Sequence, residues 1–163
     1  TLAHVVDCLF WYASNLARRS ATHAGSPDVA ETTPLDELVD SLRSGAALLA
    51  LAVDATDADG RGFHPFGMAD ASGFAAMGVD EMLVHGYDLA AGLGLGASYS
   101  PPTGAVERTL RRLFPWAPTV TDPWDTLLWA NGRRPLGEES PDDRWLWHCA
   151  PLAEWDGTVR RVP

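Results

Sequence analysis

A chain of 163 residues, 46% of them apolar and 21% charged, fits one globular domain able to bury a substantial core. A formal net charge of −10 excludes a phosphate-backbone partner, which needs clustered cations, and no apolar run is long enough to suggest a membrane span. All 12 basic residues are arginines, and without lysine there is no Schiff base, no pyridoxal-phosphate anchor and no phosphate-loop lysine.

Leu2 to Arg19 is expected to form an amphipathic helix, with Leu2, Val5, Val6, Leu9, Ala13 and Leu16 as its apolar stripe. His4, Cys8, Trp11 and Asn15 form an adjoining stripe. The chain opens on Thr1 within this helical pattern, so residues upstream of it are expected. After a loop over 20–33, Thr33 is the expected N-cap of a second helix, with Pro34 in its first turn. That helix runs to about Val53 and turns Leu35, Leu38, Val39, Leu42, Ala46, Leu49 and Val53 inward.

A third helix spans about Ala69 to Ala91, and its Gly73 and Gly78 suit close approach of a neighbour. Gly92-Leu-Gly-Leu-Gly96 follows a helix rather than a strand, so it reads as a helix end and loop, not a nucleotide motif. A fourth helix is predicted from Pro101 to Phe114 and a short fifth one from Pro123 to Ala130, closed by Asn131-Gly132. The remaining tail, with Trp145, Trp147 and Trp155, is expected to be irregular with at most a short strand or hairpin. Cys8 and Cys149 are too few for a disulfide framework, and a reducing cytoplasm is the expected compartment. The fold class is therefore all-α: a four-helix bundle with a short extra helix and a Trp-rich tail, in one domain over 1–163.

Chemistry concentrates in the third helix. Glu81 and His85 stand one turn apart on one face, and His4 can supply a ligand from the first helix. The alternative is an exposed face carrying a Glu–His pair. Met77 and Phe74 on the same stripe favour coordination, because a carboxylate among them is costly unless paired. Asp88 is the expected outer partner of His85, and Asp7 stands in the same relation to His4. Cys8, Trp11 and Met77 are the expected pocket residues, Cys8 chiefly as a small hydrophobe and alternatively as a thiolate beside the metal. His23, His64 and His148 receive no role. The Arg111-Arg112 and Arg133-Arg134 pairs are expected on solvated faces, with clamping of an anionic substrate as the alternative, and no serine nucleophile has a recognisable base.

Leu2-Ala-His4 in the first helix, Val79-Asp-Glu81-Met-Leu-Val-His85-Gly-Tyr-Asp88-Leu-Ala90, and Asp122-Pro-Trp-Asp-Thr-Leu-Leu-Trp-Ala-Asn-Gly-Arg133 together resemble the DinB-like superfamily. The closest branch is the N-terminal domain of mycothiol-dependent maleylpyruvate isomerases. The resemblance implies a four-helix bundle holding a divalent metal through His4, Glu81 and His85. A glutamate at the middle position points to the mycothiol branch rather than to the three-histidine members. That branch belongs to high-GC actinobacteria, in agreement with the lysine-free composition. The isomerases carry a second, C-terminal domain that this tail is too short to supply, so maleylpyruvate is not the expected substrate.

The expected activity is transfer of a low-molecular-weight thiol, mycothiol, to an electrophilic small molecule, or thiol-assisted isomerisation of one. Zinc is the expected metal, with nickel and iron as alternatives. A metal-dependent hydrolase, a small-molecule-binding or resistance protein and a metal-free structural bundle are the competing readings. The partner is a small molecule, and a homodimer is compatible with the sequence.

Overall fold

Local signals and packing account for each helix boundary in the computed structural model, which describes residues 1–26, 28–141, 146–159 and 161. Helix α1 (Leu2–Ala17) buries Val5, Val6, Leu9, Tyr12, Ala13 and Leu16. It stops two residues short of the expected Arg19 because Arg19 turns left-handed at φ 47°. Its N–H bonds Leu16 O and the Ser20 N–H bonds Asn15 O, the paired closure of a Schellman motif. The freed Arg19 guanidinium bonds Asp57 at 2.7 Å on the surface.

Helix α2 (Leu35–Asp54) corrects the expected start. Pro34 rather than Thr33 occupies the cap position, no side chain bonds the first turn, and Asp36 and Glu37 complement the positive end of the helix. Leu35, expected inward, is 69% exposed because it precedes the turn that meets α1, where Leu38 and Leu49 are buried.

Helix α3 (Ala71–Gly92) is the central element, touching α1, α2 and α4. Asp70 caps it by accepting the Gly73 N–H at 2.8 Å. Gly78 lies against Leu49 and Leu9, so a methyl group there would collide with both neighbouring helices. Helix α4 (Thr103–Leu113) turns Val106, Leu110 and Leu113 inward and packs on α5 (Pro123–Ala130). Helix α5 has its expected bounds: Asp122 accepts from the N–H groups of Trp124 and Asp125, and Pro123 suits the first turn.

The fold is all-helical, with no strand among the described residues. Single bridges join Gly62 to Ala69 and Leu136 to Glu139, and short 3-10 turns lie at Gly96–Ser98 and Leu152–Glu154. No described helix is long and apolar enough to cross a membrane.

Arg112 departs from the expected solvated face. Its side chain is buried, bonding Asp70, the Ser72 hydroxyl and the carbonyls of His148 and Cys149. That ties the tail to the start of α3, where a carbonyl-rich bend needs a donor with several N–H groups. The tie also places Trp147 beside α1.

Candidate metal centre

His4 comes from the first turn of α1, and Glu81 and His85 come from successive turns of α3, so the contact between α1 and α3 brings the three side chains together. His4 Nε2 lies 3.6 Å and His85 Nε2 3.2 Å from Glu81 Oε2. One ligand atom from each residue falls within 4.8 Å of the other two. The imidazoles meet edge to face, with centroids 5.2 Å apart. The His4 side chain is 57% exposed and that of Glu81 only 9%, so the cluster opens toward solvent on the α1 side.

Glu81 and His85 are each held from behind. Tyr12 donates its hydroxyl to Glu81 Oε1 at 2.9 Å, leaving Oε2 to the histidines. His85 Nδ1 lies 2.9 Å from Asp88 Oδ2, and Arg133 Nη2 reaches the same oxygen at 2.8 Å. The result is a relay from Arg133 through Asp88 and His85 to Glu81, with its ends far apart in the chain.

Burial acts to raise the Glu81 carboxyl, but hydrogen bonds from His4, His85 and Tyr12 outweigh it and bring its pKa down to about 2. The bond to Glu81 raises His4, against burial. Burial acts to raise Asp88, and Arg133 and His85 overcome it and lower its pKa. The cluster thus keeps its carboxylate ionised despite being sheltered.

Beside it lies a cavity of about 430 Å³ whose walls include Trp11, Phe66, His64 and Trp147. Of the expected pocket residues, Cys8 and Trp11 line this space. Cys8 Sγ is 3.6 Å from His4 Nε2, and in the metal-free protein burial followed by the charge of Glu81 pushes its pKa far up. Met77 does not line the cavity. It is fully buried in the core and receives the Cys149 thiol at 3.5 Å, because its stripe turns under α1 one turn before Glu81.

Asp7 accepts the Val29 N–H at 2.7 Å, which pins the loop after α1 instead of supporting His4. Among the tail tryptophans, Trp147 lines the cavity, Trp155 lines another cavity against α4, and Trp145 falls outside the described residues. Tyr12, Arg133 and His64 were not expected at the site. Tyr12 continues the four-residue spacing of His4 and Cys8 and was therefore findable. Nothing local marks Arg133 or His64.

Fold and site together define a helical protein with a His–Glu–His cluster beside an aromatic-walled cavity. No protein-family model, no curated protein and no solved structure matches this chain.

Proposed function

We propose that this protein is a metal-dependent enzyme of the DinB-like four-helix-bundle type, transferring a low-molecular-weight thiol such as mycothiol to an electrophilic small molecule or using it to isomerise one. The observation that carries the reading is the gathering of three possible ligand atoms within 4.8 Å of one another. His4 Nε2 and His85 Nε2 both face Glu81 Oε2, at 3.6 and 3.2 Å. In the metal-free cluster the imidazoles share protons with Glu81 Oε2, and a bound cation would take the place of those protons. Tetrahedral zinc, at about 2.0–2.1 Å from each ligand, separates neighbouring donors by roughly 3.4 Å, which matches these spacings. Asp88 behind His85 is the outer carboxylate that metal-binding histidines commonly carry, since it holds the proton on Nδ1 and leaves Nε2 free.

His4, Glu81 and His85 would hold the metal. The chemistry it supplies when bound is acidification of a thiol or water at the position that three protein ligands leave open. Tyr12 orients the carboxylate, Asp88 sets the tautomer of His85, and Arg133 holds Asp88 in place. Trp11, Phe66 and Trp147 form apolar walls that exclude water from an electrophile placed beside the cluster.

Metal content of the purified protein is the first test, and one zinc, nickel or iron per chain is expected. Incubation with mycothiol and a reactive aromatic electrophile is the second. A product heavier by the thiol establishes transfer, whereas one in which hydroxide replaces the leaving group assigns a hydrolase. An electrophile bound without consumption of thiol or water assigns sequestration.

A further inference from the structure

We infer that the cavity beside the His4–Glu81–His85 cluster takes an uncharged, flat carbonyl compound whose oxygen accepts a hydrogen bond from His64 Nε2–H. In making that compound the substrate, the inference rests on the function proposed above.

The donor is built into the fold. His64 is 7% exposed; its Nδ1 accepts the Phe66 N–H at 3.2 Å and also lies 3.4 Å from Cys149 Sγ. A backbone N–H can only donate, so Nδ1 carries the lone pair and a neutral ring must carry its proton on Nε2. Burial pushes the His64 pKa down to about 4, against the charge of Glu81, and the ring stays neutral at physiological pH.

Among the described residues, no group pairs with Nε2. The only side-chain nitrogens or oxygens there that are both sealed and unpaired are the indole nitrogens of Trp11 and Trp147. His64 Nε2 is therefore open, and the space His64 lines is this cavity. Its ring lies 6.0 Å from that of Tyr12, whose hydroxyl holds Glu81, so the donor stands one side chain from the cluster.

The walls decide shape and charge. Trp11, Phe66 and Trp147 surround the His64 ring at centroid distances of 5.6, 5.0 and 5.9 Å, and such faces favour a flat π system. No arginine lines the cavity among the described residues, whereas Asp7, Asp28 and Glu81 do. In the metal-free protein an anion would meet carboxylates with no fixed cation to offset them. A cation would leave the Nε2 proton without an acceptor.

The test is calorimetric titration of zinc-loaded and metal-free protein with acetophenone, benzenesulfonate, phenyltrimethylammonium and α-methylstyrene, the last being acetophenone with its oxygen replaced by CH₂. In the metal-free protein acetophenone should bind more tightly than either ion, and tighter binding of either ion there overturns the inference. In His64→Phe, acetophenone should weaken about 10-fold while α-methylstyrene is unchanged. Equal effects on both ligands overturn the inference.

Should that variant fail to fold, nitrogen NMR of wild-type histidines decides. A bare Nδ1 and an Nε2 proton that shifts with acetophenone support the inference, and a proton on Nδ1 overturns it. Dependence of acetophenone binding on His64 in a protein that takes up no zinc would remove the proposed function and leave this binding site standing. Zinc uptake with acetophenone binding indifferent to His64→Phe does the reverse.

Discussion

Asp80 and Glu81 follow one another on α3 and are both nearly sealed, at 1% and 8% exposed, yet they meet opposite surroundings. Consecutive helical residues point about 100° apart, so Glu81 faces α1 while Asp80 faces the end of α5. There the Asn131 amide donates to Asp80 at 3.2 Å. Burial and then the charge of Glu81 push the Asp80 carboxyl well up, and the Asn131 bond and Arg133 do not offset them. Burial acts on Glu81 in the same direction, but three donors reverse it. A sheltered acid becomes an ionised centre only where donors converge on it. That convergence separates an ionised carboxylate from a neutral one on the same helix.

The largest break in this contrast comes from the histidines. His4→Ala and His85→Ala should each lower zinc affinity by more than about 100-fold, beyond the loss attached to an outer partner, measured by competition with a chelator. Full metal content in both variants would sink the proposed centre.

Glu81 comes next, in metal-free protein. Its folded pKa of about 2 lies below its ordinary 4.5, so its contribution is present above pH 4.5 and lost as pH falls toward 2. The loss amounts to roughly 3 kcal/mol at about 1.4 kcal/mol per unit. Urea unfolding across that window should show it in wild type and not in Glu81→Gln. Asp88→Asn should weaken zinc by about 10- to 100-fold while leaving stoichiometry at saturation unchanged, because it loosens His85 without removing a ligand.

The smallest change belongs to Asp80→Asn, below about 1 kcal/mol at pH 4, where the acid is neutral and an amide replaces it nearly in shape. The sign then matters more than the size. A raised carboxyl keeps its proton when folded and loses it when unfolded, so wild type loses stability as pH rises above 3.8. The asparagine variant lacks that loss. Its advantage over wild type should grow with pH in thermal melts, and a gap that shrinks would contradict the neutral assignment.

Arg112 and Met77 show where reading from the chain alone stops. Arg112 shares a surface-like Arg-Arg pair, yet it is buried because the tail folds back to present the carbonyls of His148 and Cys149. Met77 shares a stripe with Glu81, but one turn of displacement puts it under α1 against Cys149. By contrast, the Glu81–His85 spacing needed nothing from outside α3 to place both side chains on one face.

The chain by itself determined the five helices and the pairing of Glu81 with His85, because period, caps and breakers act within a turn or two. It also determined α5 to the residue, through Asp122, Pro123 and Asn131-Gly132. Only the tertiary structure decided that Tyr12 holds Glu81, that Arg133 stands behind Asp88 and that His64 opens into the cavity. Those contacts join residues dozens of positions apart, and their geometry follows from how helices and loops pack, which no local period encodes.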